Sequence, residues 1–169
     1  GRNFINKLWN SARFVIMNID DEYISINDPN LKLNKTDKWI ISKLNKTILN
    51  VNDSYGQYKL NESIKLVYDF VWSDFCDWYI EFSKVRFYGQ SKIDKKNAIS
   101  VCIFVLKTIL KLLHPYIPFI TEEIWTMVSK NDQFLTISSW PSMDKNKILP
   151  KIENEISIIK EVISSIRNI

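Results

Sequence analysis

Glycine and proline are scarce in this sequence, with 3 and 5 residues respectively among 169. That shortage excludes collagen-like and low-complexity chains and disfavours a turn-rich β-sandwich. Two cysteines, Cys76 and Cys102, cannot build a disulfide framework or a thiolate metal site, so a reducing compartment, the cytoplasm, is the expected location. The single histidine, His114, has no cysteine, aspartate or second histidine at ligand spacing, which argues against a metal centre. It lies between an apolar helix and Pro115, where a packed or hydrogen-bonded structural role is expected. The longest apolar run, residues 101–113, is broken by Lys107 and Lys111 and falls short of the roughly 18 residues a membrane span needs. No charged-then-apolar leader opens the sequence, no Gly-rich loop can cradle a phosphate, and no G-x-S-x-G elbow is present. Alanine occurs only at Ala12 and Ala98 while Ile, Asn and Lys abound, a bias that suits an AT-rich coding sequence.

What is present is the balance of a folded domain: 46% hydrophobic and 25% charged residues in 20.0 kDa, which excludes disorder. The net charge of +4 permits an acidic partner without demanding one. Periodicity near 3.6 residues dominates the chain. Residues 3–18 place Phe4, Ile5, Leu8, Trp9, Ala12, Val15 and Ile16 in one arc. After an Asp- and Asn-rich loop with a short extended piece at 23–26, Thr36 or Asp37 is positioned to cap a second helix. Its inward residues are Trp39, Ile40, Leu44, Thr47, Ile48 and Val51. Gly56 closes the connection to a long third helix that opens at Asn61 and reaches Arg86 on an apolar repeat of i, i+3, i+4, i+7. A fourth helix runs from Asp94 until Pro115 stops it, and a fifth starts at Pro118 and ends near Lys130. Residues 134–141 read as a loop with extended character. A last amphipathic run, Ile152 to Ile166, carries on toward a chain end without a stop signal, so a piece of a longer polypeptide is expected. The sum is an all-α, antiparallel bundle of five to six helices.

Candidate chemistry is thin. Asp74, Asp77 and Glu81 share one face of the third helix at ordinary α spacing, with Asp69 one turn earlier. They form either an acid–base pair or an ion-paired face that meets Lys or Arg of a neighbouring helix. Cys76 and Cys102 sit in apolar runs as inert core thiols. By elimination no catalytic residue is expected in this chain.

The first helix stands apart. Its polar face holds Asn3, Asn6, Lys7, Asn10 and Arg13, and no acid precedes Asp20. On a helical wheel Asn3, Asn10 and Phe14 lie within about 60° of Lys7, and Arg13 sits at the edge of the arc. Phe14 is thus an aromatic on the basic side, away from the apolar stripe. Lys and Arg neutralise phosphates, Asn amides donate to and accept from base edges, and an aromatic ring stacks on an unpaired base. The alternative is that Phe14 packs on the next helix or loop.

Several words carry a family resemblance. "GRNFINKLWNSARFV" (1–15) resembles the helix that opens the anticodon-binding domain of class I valyl-tRNA synthetases. "DKWIISKLN" (37–45), "YDFVWSDFCDWYIEFSK" (68–84), "LLHPYIPFITEEIW" (112–125) and "ISSWP" (137–141) follow in that family's order, and "IRNI" (166–169) resembles the junction to its C-terminal coiled coil. The resemblance implies a helical-bundle anticodon-binding domain over residues 1–150, then a helix over 151–169 leading toward the coiled coil. It implies that the anticodon loop of tRNA-Val and the catalytic domain of the same polypeptide are the partners, with no membrane involved. Carried over by position, Lys7, Arg13 and Phe14 match residues that meet the anticodon bases, and Asn3 and Asn10 match positions on the same face. The family's full enzyme uses ATP and Mg²⁺ to join valine to tRNA. Its catalytic and editing motifs are absent here, so no cofactor and no aminoacylation are expected of this chain alone. Val85 departs from the family, where Pro is frequent, and lets the third helix run on. Two other readings stay open: the same domain of an isoleucyl or leucyl enzyme, and a helical protein-interaction bundle.

Overall fold

Sequence periodicity becomes packed helices in a computed structural model that describes residues 1–19, 23–129 and 134–167. Among these residues there is no strand. Helices α1 (Arg2–Met17), α2 (Lys35–Gly56), α3 (Leu60–Asp69), α4 (Ile80–Phe87), α5 (Lys92–Leu113), α6 (Pro118–Val128) and α7 (Pro150–Arg167) make an all-α bundle. α3 and α4 are one continuous rod, because residues Phe70–Tyr79 between them are π-helical. Helix α2 packs along α3 and α7, and α5 along α6 and α4.

The core is built on α5, whose buried residues include Val101, Ile103, Val105, Leu106, Ile109, Leu110, Leu112 and Leu113. A helix apolar on most sides belongs in the middle of a bundle, and each such Leu or Ile contributes roughly 1.5–3 kcal/mol by burial. Leu8 of α1, Ile40 and Leu44 of α2, Phe75 and Tyr79 of the π segment and Ile124 of α6 close around it. All the inward residues expected of α2 are buried. Helix α7 behaves differently. Of its apolar run only Ile156 is buried, and Ile159, Val162 and Ile166 are exposed, because the helix meets the bundle on one side only.

Several local expectations need correction. The N-cap of α2 is Asn34, not Thr36 or Asp37. The Asn34 side chain accepts from the Asp37 N–H at 2.8 Å, and Asp37 accepts from the Asn34 N–H at 3.0 Å, so Asp37 closes a reciprocal capping box from the third position. The turn after α2 is made by Tyr58 at φ 59°, while Gly56 stays in the helix. Residues 23–26 form no strand; the Ile24 N–H is taken by the Ser100 hydroxyl at 3.0 Å, a single anchor rather than a ladder. Residues Leu135–Ile137 are a 3₁₀ turn, drawn onto α6 because the Leu135 N–H donates to Glu122 at 2.8 Å and Leu135 itself is buried. The fifth helix, expected to end near Lys130, ends at Val128 with Ser129 as its C-cap; Lys130 itself and the acidic part of the loop at 20–22 lie outside the described residues. Helix α4 runs through Val85 to Phe87. Gly89 then lies so close to the end of the rod that a Cβ there would meet the Val85 carbonyl oxygen at 3.0 Å.

One buried ionic network locks the bundle. Asp37 accepts from the Tyr79 hydroxyl at 2.7 Å and from Arg86 Nη1 at 2.7 and 2.9 Å, and Arg86 Nε donates to Asp94 at 2.8 Å. It joins α2, the π segment, α4 and the first turn of α5. Burial lowers the Arg86 pKa, but Asp37 and Asp94 outweigh it and leave it raised. Burial, with Cys102 and Asp37 nearby, holds the Tyr79 phenol well above its ordinary value.

Candidate nucleic-acid interface

Helix α1 buries Phe4, Leu8, Ala12 and Val15 and lies against the π segment, α5 and α6. That choice of buried face leaves Asn3, Asn6 and Asn10 exposed and Lys7 and Phe14 half-buried. An open groove of about 470 Å³ runs between α1 and the rod. Helix α1 lines it with Asn3, Asn6, Lys7, Asn10, Ser11 and Phe14; the rod contributes Cys76, Ile80, Glu81 and Lys84.

The structure thus brings four of the five expected site residues, Asn3, Lys7, Asn10 and Phe14, into one groove. Arg13 is not among them. It is exposed on another side of α1, beside a separate cleft lined by Trp9, Ile16, Ile124 and Met127. Trp9, read as core, is half-buried and packs on the core at this cleft. The Phe14 ring packs on Phe87 of α4 at 5.6 Å between centroids, rather than on the next helix or loop, and it also lines the groove.

Charges in the groove come in pairs. Lys7 forms an ion pair with Asp77 and sits 3.8 Å over the Trp72 ring. Lys84 pairs with Glu81 at 2.6 Å and lies 5.6 Å from the Phe14 ring centroid. The carboxylates therefore ion-pair, but not all with one neighbour, since Asp74 turns away from α1 to Lys43 of α2 at 3.2 Å and Lys160 of α7 at 3.1 Å. The Cys76 thiol in the groove is pushed up to about 11, chiefly by burial, and so stays protonated and weakly nucleophilic at neutral pH. Burial drives Cys102 up to about 12. His114 links the end of α5 to Thr121 of α6 at 2.9 Å and to Thr136 at 3.1 Å. The groove offers amide donors and acceptors, two ammonium groups and a ring face, which is equipment for holding a planar polar ligand.

Reasoning from sequence missed the rod side of this groove. Ser11, Ile80, Glu81 and Lys84 line it and Trp72 lies against the Lys7 ammonium, and the one visible signal was the run of acids in "SDFCDWYIE" opposite a helix without any.

Residues 37–169 match the family model described as the anticodon-binding domain of tRNA ligase. The chain belongs to this family. Across nearly its whole length it is also similar to curated valine–tRNA ligases: 41% identical over 168 residues to that of Listeria innocua serovar 6a, covering 99% of this chain and 19% of the relative. The corresponding enzyme of Fusobacterium nucleatum is 43% identical over 173 residues, covering 100% and 20%. That of Staphylococcus carnosus is 39% identical over 166 residues, covering 98% and 19%. The chain therefore spans about a fifth of the length of these relatives. Among solved structures, the LeuRS of Agrobacterium radiobacter K84 in its ternary complex with tRNA and LeuAMS superposes with a TM-score of 0.62. The sequence identity is 16%, and the match covers 88% of this chain and 17% of that one; it shows the shared fold. The anticodon-binding family model starts at Asp37, so α1 lies outside it but inside the valine–tRNA ligase alignments. No helix among the described residues is long and apolar enough to cross a membrane.

Proposed function

We propose that this chain is the anticodon-binding domain of a cytoplasmic valine–tRNA ligase and that the α1 groove receives the unpaired bases of the tRNA-Val anticodon loop. One observation carries the reading: the half-buried ring of Phe14 shares a groove with the amides of Asn3 and Asn10 and the ammonium of Lys7. The identities near 40% to valine–tRNA ligases support the choice of amino acid. Bases in a single-stranded loop can be splayed out and read on their edges, whereas the deep groove of an A-form stem cannot. In this reading a base leaves its stack and lies on Phe14, whose other neighbour Phe87 keeps the ring from turning. Asn3 and Asn10 donate to and accept from base edges. Lys7 donates from a fixed position, and Arg13, on another side of α1, meets the backbone phosphates. Docking positions the tRNA; the rest of the polypeptide supplies the catalytic domain, where ATP and Mg²⁺ would drive esterification of valine. Among the described residues no cluster of three His, Cys, Asp or Glu could hold a metal ion.

The test is tRNA-Val binding and valine charging by the full-length ligase carrying Phe14→Ala or Lys7→Ala. Loss of the stack is expected to weaken binding by about 1–3 kcal/mol. Unchanged affinity and charging in both variants would overturn the assignment, and binding indifferent to salt would favour a protein-interaction bundle. Charging tRNAs with exchanged anticodons separates the valyl reading from an isoleucyl or leucyl one.

A further inference from the structure

We infer that Trp72 and Asp77 are positioning residues for the Lys7 ammonium, and that the π-helical register of the rod is what sets them side by side. The inference rests on the anticodon reading of the α1 groove. In an α-helix residues five apart point about 140° away from each other. In the π segment the hydrogen bond spans five residues, as in the Ile80 N–H that donates to the Phe75 carbonyl, so residues i and i+5 come onto the same side of the rod, about 50° apart. Trp72 and Asp77 are such a pair, and both meet Lys7. The same register explains why Asp74, which shares a face with Asp77 at α spacing, instead turns to Lys43 and Lys160.

The clamp is anchored back on α1. Trp72 stacks on Tyr68 at 5.7 Å and 11° between planes, and Tyr68 stacks on Phe4 at 4.8 Å. Phe4 lies one turn before Lys7 on the same helix. An unrestrained lysine is a mobile point charge that any phosphate can attract. Lys7 differs, because Asp77 balances its charge and Trp72 fixes its place. The ammonium has three donors; Asp77 accepts from one and the Trp72 face takes up another, which leaves one for a groove ligand. Such a lysine contributes an aimed hydrogen bond rather than general attraction for the RNA backbone. The mid-helix π stretch thus has a use beside the groove, which Cys76 of the same segment lines.

The test uses the full-length ligase, with affinities for cognate tRNA-Val and for tRNA-Val substituted in the anticodon measured across a salt series. The variants are Lys7→Met, Asp77→Asn, Trp72→Leu and Trp72→Phe, with melting curves to confirm folding. Lys7→Met is expected to reduce anticodon discrimination by about tenfold or more, the scale of a charge-assisted hydrogen bond. Asp77→Asn and Trp72→Leu should reproduce most of that loss and add nothing on the Lys7→Met background, and Trp72→Phe should restore part of it. Asp77→Asn should also steepen the dependence of log K on log salt by up to about one, because the released ammonium now neutralises a phosphate. A merely structural role would leave that slope unmoved. The inference is overturned if Lys7→Met abolishes discrimination while Asp77→Asn and Trp72→Leu leave it intact, or if their effects add fully to that of Lys7→Met. If Lys7→Met itself has no effect, the anticodon reading of the groove falls first and this inference with it.

Discussion

Two cation–aspartate pairs hang from the same rod and do opposite work. Arg86 and Asp37 are sealed, with side chains 7% and 0% exposed, whereas Lys7 and Asp77 stand at 24% and 47%. In the sealed pair every contact serves the fold: Asp37 caps α2, takes the Tyr79 hydroxyl and accepts from Arg86. Such a pair, once broken, leaves an uncompensated charge in a low-dielectric interior. The open pair is screened by water and contributes little to stability. Its geometry is therefore free to serve a ligand. Chemistry of the same type is made structural or functional by how much solvent the bundle leaves around it.

The comparison breaks most visibly on its buried side. Asp37→Ala or Arg86→Met should cost the chain about 3–5 kcal/mol in urea unfolding, since Arg86→Met leaves Asp37 buried without a cation and Asp37→Ala leaves Arg86 with only the half-exposed Asp94. A loss under about 1 kcal/mol would mean that water reaches the network. High pH gives the next largest effect. Cys76 and Cys102 have folded pKa values of about 11 and about 12, above the roughly 8.5 of an unfolded thiol. Because the folded values are raised, their stabilisation is complete below the unfolded pKa and is lost as pH climbs toward the folded values. Each contributes a slope of about 1.4 kcal/mol per pH unit in that window. Urea midpoints should fall from roughly pH 9 upward, and Cys102→Ala should flatten the fall; a flat profile in the parent would refute the burial argument. The smallest effects belong to the open side. Glu81→Gln and Lys84→Met should each change stability by less than about 0.5 kcal/mol by thermal melting. A larger loss would show that the groove rim is part of the scaffold.

Much of the fold was legible because burial imposes a period. The inward faces of α2 and α5 follow from spacing alone, and so does the polar face of α1, where Asn3, Lys7, Asn10 and Phe14 do share a groove. Arg13 falls outside the groove for a geometric reason: six residues on, it points about 120° away from Lys7, and there it lies, near Met127. The cap of α2 was misjudged by two or three positions because Asn34, Thr36 and Asp37 are all good capping residues and only the reciprocal bonds between Asn34 and Asp37 distinguish their roles.

By itself the amino-acid order determined that the chain is helical, which residues each helix turns inward, and that one helix carries amides, cations and a ring without any acid. These are local properties, set by side-chain chemistry and a repeat of 3.6 residues. Only the tertiary structure decided that residues Phe70–Tyr79 wind as a π-helix, that Asp77 faces α1 while Asp74 faces α2 and α7, and that Asp37 and Arg86 meet. Those outcomes depend on which partners a buried or bordering group finds across the bundle, at separations of 42 and 49 residues for the contacts to Asp37, and no local pattern encodes a partner at that distance.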